Sequence, residues 1–381
     1  MLWRLLQNLL VTAVTLLLCA LLAEGALRLL HIYPSPSVPD RTVGFRFLPR
    51  AHYRHTEEGF SEGRMNAAGW RDRDYAMSRP AFVRRIVFFG DSFTEAFQVS
   101  LDSTFHKRLE RSLNAHLAPD RRCEALALGR SGMGTTEEYL TYEKWGTGYQ
   151  PDVVAVLFVL NDFTDNTRAF DPQGDIRPYF VEAGDSLALD TTFVSSPGYR
   201  TRALINPWKV HSSLVTLATK TWNEIRLRRA VARIGRETTR DSVSMMFDRR
   251  LPDDSIPAFR ITGKVLARFA RTVARDRRRF VLFVAGIGMQ EDPTELGLAE
   301  RSPFFDRDKP QRFLQAVGSR EGFEVVVLTP AFRAACAAGR GPLWFRARGG
   351  YAHWNSAGHA VAAAAMERYL EPILAEPRET R

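Results

Sequence analysis

The sequence predicts an α/β fold in which a parallel β-sheet is covered by helices on both faces. Five short apolar runs, rich in β-branched or aromatic residues, lack polar alternation, which is typical of strands buried on both faces. Amphipathic helical patterns separate or follow these runs. The chain has 381 residues, of which 45% are hydrophobic and 25% are charged, so it can bury a substantial globular core.

The elements are predicted in order along the chain. The predicted strands cover 85–89, 123–128, 152–160, 280–286 and 323–328, and the predicted helices cover 103–117, 136–147, 262–278, 309–319 and 356–371. We expect Thr135 to cap the second of these helices, with the side chain of Glu138 bonding back to the backbone of Thr135. Asn355 or Ser356 is expected to cap the last helix. The stretch 163–260 fits the alternation less well and predicts an insertion that carries a helix or two.

Residues 1–30 predict a transmembrane anchor. No charged residue lies between Leu9 and Ala23, and extending this stretch back to Leu5 gives about nineteen residues, enough to cross a bilayer as a helix. A cleavable signal peptide is the alternative, although Ala23-Glu24-Gly25 is a poor cleavage site. Because few residues precede the span, we expect the rest of the chain to lie outside the cytoplasm, on the periplasmic side.

Three prolines in 31–40 predict a stiff linker, so that the folded domain covers 41–381. The net charge of +10 comes mostly from arginines dispersed among 43 acidic residues, and no nucleic-acid-binding module accompanies it. Binding to nucleic acid is therefore not expected. Cys19, Cys123 and Cys336 give no disulfide framework, and a Cys123–Cys336 bond and two buried thiols remain equally open.

Three residues with complementary chemistry follow the first three predicted strands. The carboxyl ends of parallel strands meet at one edge of a sheet, so Ser92, Gly132 and Asn161 are expected to be neighbours. Ser92 is a potential nucleophile on a rigid strand end. The backbone N–H groups of Ser92 and Gly132 and the side-chain amide of Asn161 are candidates for a three-donor oxyanion hole.

A serine nucleophile needs a base, and the motif HWNSAGH at 353–359 supplies two histidines. His353 precedes the last predicted helix and lies in a loop that can reach the same sheet edge, whereas His359 falls inside the helix. We therefore prefer His353 as the base. Their spacing does not place both rings on one helical face as metal ligands, and the chemistry requires no metal or organic cofactor.

These residues stand in four motifs that resemble those of the SGNH, or GDSL-type, hydrolases. The motifs are GDSF at 90–93, LGRSGMG at 128–134, LND at 160–162 and HWNSAGH at 353–359, and NAAGWRDRDY at 66–75 resembles a segment of membrane-anchored members. The resemblance covers roughly 60–370 without the insertion and implies a three-layer, flavodoxin-like parallel sheet. It also implies ester hydrolysis with Ser92 as nucleophile, His353 as general base, and Ser92, Gly132 and Asn161 as oxyanion donors.

The chain departs from the family pattern in three places. Val159 stands where the family usually has glycine, and Ala127 where an asparagine often opens the glycine motif. An aspartate normally precedes the catalytic histidine by two or three residues, where this chain has Gly350 and Tyr351. We expect a backbone carbonyl near Gly350, or an acid from the insertion, to orient His353 instead, with reduced or specialised catalysis.

The expected substrate is an ester-bearing glycan or lipid at the cell surface. An anchored enzyme outside the cytoplasm favours acylated cell-surface glycans, and lipid esters are the rival. An O-acyltransferase would use the same residues, with a sugar hydroxyl in place of water. A non-catalytic glycan-binding or scaffold relative is favoured by the missing aspartate and disfavoured by the retained Ser92 and His353.

Overall fold

A computed structural model of the chain describes residues 1–117, 121–168, 170, 176–184, 186–234, 245–286, 288, 303–345 and 353–376. The strands are β1 Ser37–Asp40, β2 Gly44–Phe47, β3 His52–His55, β4 Ser61–Arg64, β5 Val83–Gly90, β6 Arg122–Gly129, β7 Val153–Phe158, β8 Tyr179–Ala183, β9 Ser186–Asp190, β10 Arg279–Val284 and β11 Glu324–Val327. The helices are α1 Leu2–Leu29, α2 Ser92–Glu95, α3 Phe105–His116, α4 Thr135–Lys144, α5 Asn161–Asp165, α6 Pro197–Lys209, α7 Ser213–Ile234, α8 Pro257–Arg275, α9 Lys309–Glu321, α10 Thr329–Ala337 and α11 Ser356–Ala375.

Five parallel strands form the central sheet in the order β11-β10-β7-β5-β6. This order places the first strand of the sheet beside the third, which is the flavodoxin-like arrangement. Every residue of β7 is buried, and β5 and β10 are almost as fully covered, which explains why their sequences lack polar alternation. The fold class, the five strands and the five helices predicted from sequence are confirmed.

Successive side chains of the strands face different helix layers. Phe88 of β5 packs edge-on against Phe105 of α3, whereas its neighbour Phe89 packs against Tyr142 of α4 and Phe269 of α8. Helix α11 lies beside α3, and α4 lies beside α8. The sheet is thus sandwiched between two helical layers, which completes three layers.

The N-terminal cap predicted for α11 is confirmed, whereas the cap of α4 differs from the prediction. The side chain of Asn355 accepts hydrogen bonds from the N–H groups of Ala357 and Gly358, so Asn355 caps α11. The cap predicted for α4 is wrong by one residue, because Gly134 occupies the N-cap and its N–H donates to Glu137 at 3.0 Å. Thr135 instead belongs to the first helical turn.

Helix α1 is long and apolar enough to cross a membrane, and its apolar window makes no buried contact with the rest of the chain. Helices of this kind near an N-terminus also occur as signal sequences. The segment after it differs from the sequence analysis, since Ser37–Asp40, assigned there to the linker, pairs antiparallel with β2. The buried Asp40, whose carboxylate pairs with Lys144 at 2.9 Å, ties this strand to α4.

The stretch assigned to an insertion carries more structure than a helix or two. Between α5 and α8, the described residues form the antiparallel hairpin β8–β9 and the helices α6 and α7. Helix α8, which begins inside the predicted boundary, belongs to the layer that packs on the sheet. Its apolar face is buried, whereas α6 and α7 leave several large apolar side chains exposed.

Helix α4 carries a carboxyl group into the core behind the carboxyl edge of the sheet. Glu138 is fully buried, and neither of its oxygens has a hydrogen-bond partner among the described residues. Burial, together with the nearby Asp91 and Glu137, raises its pKa well above the ordinary value. Asp162 is buried close by, and burial together with Glu138 raises its pKa in the same direction. Burial therefore favours the protonated form of both carboxyl groups in the folded chain.

We predict that the fold loses stability as the pH rises from the ordinary pKa of a glutamate towards the raised folded pKa of Glu138. The folded chain binds more protons than the unfolded chain in this range, so each such proton lowers the free energy of unfolding by about 1.4 kcal/mol per pH unit. Glu138→Gln should flatten the decline, as measured by denaturant unfolding between pH 4 and 8. Glu143→Gln, on the exposed side of the same helix, is the control, and equal slopes for Glu138→Gln and wild type would contradict the prediction.

Candidate active site

Ser92 stands at the carboxyl end of β5 and begins the short helix α2. Asp91 caps this helix by accepting from the N–H of Phe93 at 2.9 Å. The turn fits tightly against the sheet: a Cβ at Gly90 would lie 2.2 Å from the hydroxyl of Thr94, and one at Gly129 would lie 2.5 Å from the Cβ of Thr94. The glycines at the ends of β5 and β6 are therefore required for the serine turn to sit where it does.

The two histidines of the last motif have different surroundings. His353 is partly exposed, and its Nε2 lies 2.8 Å from Oγ of Ser92. His359 is buried in α11, where its Nδ1 accepts from the N–H of Phe105 at 3.2 Å, and burial lowers its pKa to about 3. His359 is thus a neutral packing residue, and His353 is the histidine in contact with the serine.

A carboxylate contacts His353 from a part of the chain that the sequence analysis did not consider. Oε2 of Glu58 is hydrogen-bonded to Nδ1 of the His353 ring, and Oε1 accepts from the His353 backbone N–H at 2.9 Å. Partial burial raises the pKa of Glu58, but the hydrogen bonds with His353 outweigh burial and hold the pKa below its ordinary value. The ring is therefore held between a hydroxyl and a carboxylate.

Of the two expected replacements for the missing aspartate, the acid from the insertion is wrong, because Glu58 is the carboxylate in contact with His353. Glu58 lies in the loop between β3 and β4, near the N-terminus, and not in the insertion at 163–260. The alternative partner, a carbonyl near Gly350, lies outside the described residues. The physical reason is that a carboxylate needs only to reach the Nδ1 side of the ring, so any loop packed on that side can supply it.

The β3–β4 loop is fastened to the segment that follows the serine. Gly59 has a φ of +74°, and a Cβ there would lie 2.2 Å from the carbonyl of Gln98 and 2.6 Å from the ring of Phe345. The hydroxyl of Ser61 is hydrogen-bonded to the carbonyl of Phe97. Close packing on both sides thus fixes the position of the glutamate.

A buried arginine joins the same loop region to the serine turn. Arg71 donates to the carbonyls of Glu95 at 2.9 Å and Ala96 at 2.8 Å, directly after α2, and to that of Val99. Its Nε donates to the hydroxyl of Tyr53, on β3, at 3.0 Å. Arg71 stands in the segment 66–75 that the sequence analysis singled out, and its donors satisfy carbonyls that the end of α2 leaves unpaired.

Gly132 lies in the loop after β6 at the same edge of the sheet and has a φ of +73°. Its carbonyl accepts from Arg177 at 2.7 Å. The preceding residue, Ser131, donates its hydroxyl and its N–H to the buried carboxyl of Glu95, the latter at 3.0 Å. Burial raises the pKa of Glu95 to about 7. Hydrogen bonds at Ser131 and at the carbonyl of Gly132 thus hold the glycine loop.

Asn161 is the first residue of α5, and its amide group is engaged by two carboxylates. Nδ2 donates to Asp91 at 2.9 Å and to Asp165 at 3.1 Å. An amide nitrogen carries only two hydrogens, so both are occupied in this arrangement. Burial raises the pKa of Asp91, and Asp165 lies one helical turn after Asn161. Donation to a substrate therefore requires release of one carboxylate.

Sequence reasoning missed Glu58, Glu95 and Asp165. The spacing of four between Asn161 and Asp165, on a helix that begins at Asn161, was a usable signal for their contact. Glu58 gave no such signal, because its hairpin is polar and Glu57 beside it is the same residue type. Among the residues that the structure describes, no three His, Cys, Asp or Glu side chains cluster as metal ligands.

The chain is similar to a known protein family and to several solved structures. The profile of the GDSL-like lipase/acylhydrolase family matches residues 88–361. No curated protein matches the sequence significantly. Among solved structures, an α/β hydrolase from the metagenome of Lake Arreo, Spain, is 16% identical, with 77% of this chain and 97% of that chain covered and a TM-score of 0.40.

Two further solved structures are acetyl xylan esterases. One is 12% identical, covers 75% of this chain and 99% of its own, and has a TM-score of 0.40. The other, from Geobacillus stearothermophilus, is 13% identical, covers 75% and 93%, and has a TM-score of 0.38. The family match includes the serine, glycine, asparagine and histidine motifs and covers well over half of the sequence. The chain belongs to the GDSL-like lipase/acylhydrolase family and is a hydrolase of ester bonds.

Proposed function

We propose that the chain is a serine esterase that works through an acyl-enzyme on Ser92. The observation that carries this proposal is the 2.8 Å contact between Oγ of Ser92 and Nε2 of His353. His353 takes the hydroxyl proton while Oγ attacks the ester carbonyl, and then gives that proton to the leaving alcohol. Water then attacks the acyl-enzyme, and His353 accepts a proton from that water. The carboxylic acid product leaves as His353 returns the proton to Ser92.

Glu58 takes the orienting role that an aspartate has in the family pattern. A carboxylate at Nδ1 selects the tautomer with a free lone pair on Nε2 and stabilises the imidazolium that forms during attack. The second oxygen, bonded to the His353 backbone, holds the loop as well as the ring. With this carboxylate present, the missing aspartate no longer favours a non-catalytic binding relative.

The oxyanion is held by the N–H groups of Ser92 and Gly132 and the amide of Asn161. Asn161 exchanges its bond to Asp165 for one to the developing oxyanion, because Asp165 is the more solvent-accessible of its two acceptors. Each donor of this kind typically accounts for a factor of about 10² to 10³ in rate.

The substrate class is an acylated cell-surface glycan or lipid. Helix α1 serves as an uncleaved anchor, the domain after it lies on the periplasmic side, and the stretch 163–260 is an insertion in that domain. The length and hydropathy of α1 support the anchor.

The test is to incubate the full chain in detergent with a fluorophosphonate probe and a short acyl ester, beside Ser92→Ala. We expect labelling and turnover in the wild type and neither in the variant. Turnover that survives in Ser92→Ala would remove Ser92 from the mechanism, and absence of both in the wild type would favour a binding protein. Adding a glycan acceptor then separates acyl transfer from hydrolysis.

Glu58→Gln should lower kcat by about 10²- to 10⁴-fold with little change in KM, because the neutral amide no longer stabilises the imidazolium. Glu57→Gln is the matched control, since Glu57 precedes Glu58 but pairs with Lys220 instead of the histidine. Steady-state ester hydrolysis measures both variants. Equal rates for the two variants would show that Glu58 has no part in the reaction.

Asp165→Ala should raise kcat by roughly tenfold, a fraction of what a complete oxyanion donor contributes, because it frees one amide hydrogen of Asn161. The same substitution in an Asn161→Ala background should have no effect, since the donor is then absent. A loss of activity on Asp165→Ala, or an equal gain in both backgrounds, would contradict this prediction.

A further inference from the structure

Helices α6 and α7 present large apolar side chains to solvent. Leu204 and Trp208 lie one turn apart on α6 and are 76% and 70% exposed. On α7, Trp222 and Ile225, which are three residues apart, are 64% and 40% exposed. Residues three or four apart share one face of a helix, so each helix carries an uncovered apolar face.

The junction between these helices contacts the end of α1. Glu24 accepts from the N–H groups of Ser213 at 2.9 Å and Leu214 at 3.0 Å and from the hydroxyl of Ser212, and so caps α7. Arg28 donates to the carbonyl of His211 at 2.7 Å. Glu24 is the first charged residue after the apolar stretch of α1, so the junction lies where that stretch ends.

The chain after α1 keeps the folded domain close to this level. The N–H of Ser35 donates to the carbonyl of Lys209, the last residue of α6, at 3.3 Å, and it also contacts the hydroxyl of Thr216 at 3.0 Å. Arg54 of β3 donates to the carbonyl of Leu30 at 3.1 Å. The domain thus rests directly on the end of the membrane-spanning candidate.

We propose that the apolar faces of α6 and α7 lie in the interfacial layer of the lipid bilayer that α1 spans. The occupant is a bilayer because these faces continue from the end of an apolar helix that needs one. Tryptophan is enriched at the boundary between lipid and water, and amphipathic helices lie in that plane with their apolar face buried. Trp208 and Trp222 are the anchors of this surface.

This surface also restricts the substrate, an extension that rests on the proposed function. Lys220, seven residues after the start of α7, pairs with Glu57, the neighbour of Glu58. At 1.5 Å per residue, the loop that carries Glu58 lies about 10 Å along α7 from the junction with α1. The catalytic centre is therefore held near the bilayer, where its substrate is an acyl ester embedded in the membrane.

The docking is tested with the full chain in nanodiscs of phosphatidylethanolamine and phosphatidylglycerol, with and without bromine on the acyl chains. Bromine quenches tryptophan fluorescence at contact. We expect bromine to quench the fluorescence that Trp208→Phe and Trp222→Phe remove, as it quenches that of Trp3 on α1, whereas Trp145→Phe, within the folded domain, removes unquenched fluorescence. If bromine does not alter the fluorescence of Trp208 and Trp222, these side chains face solvent or a second copy of the chain, and the proposal is overturned.

The substrate class is tested in the same nanodiscs with Trp208→Glu/Trp222→Glu. Turnover of a long-chain acyl ester embedded in the disc should fall at least tenfold, while turnover of a short soluble ester stays unchanged. Equal effects on the two esters, or none, overturn the membrane-embedded substrate. If wild type and Ser92→Ala turn over neither ester, the proposed function fails, and the quenching experiment still decides the docking.

Discussion

The contact between Glu58 and His353 is the constraint on which the site depends. It joins a loop near the N-terminus to a loop near the C-terminus, and it uses both carboxylate oxygens, one on the ring and one on the backbone. Partial burial of a carboxylate disfavours its charge, yet these hydrogen bonds hold the pKa of Glu58 low. The hydrogen bonds from His353 thus keep the Glu58 carboxylate charged. That carboxylate in turn holds the imidazole ring so that it faces Ser92.

That constraint holds only because the hairpin β3–β4 is itself fixed. Gly59 allows the loop to approach Gln98 and Phe345 closely, and Arg71 links Tyr53 of the hairpin to the carbonyls after the serine turn. The hairpin and Arg71 precede residue 88, where the family match begins. The carboxylate that contacts His353 therefore lies outside the matched region, and an upstream segment connects it to the serine turn.

The sheet and part of the site were predictable because their signals are local or follow from topology. Strands without alternation required burial on both faces, and the carboxyl ends of parallel strands converge, so the contact of Ser92 with His353 followed once both lay at that edge. Glu58 was not predictable in this way, since a polar hairpin of four-residue strands has no hydrophobic period to place it and nothing local distinguishes it from Glu57. Its role depends on the packing of Gly59, a contact between residues far apart in the sequence.

In the proposed reaction, negative charge develops beside Asn161, where Asp91 and Asp165 also lie. Asp91 contacts Asn161 and lies 3.4 Å from the serine hydroxyl, but burial raises its pKa and so disfavours a second anion beside the oxyanion. Asp165 lies beside Arg177, whose guanidinium also holds the carbonyl of Gly132. One cation thus faces both the competing carboxylate and the glycine loop. When a substrate oxygen accepts the hydrogen bond of the Asn161 amide, Asp165 loses that bond but still lies beside Arg177. The charge of Asp165 therefore keeps a partner.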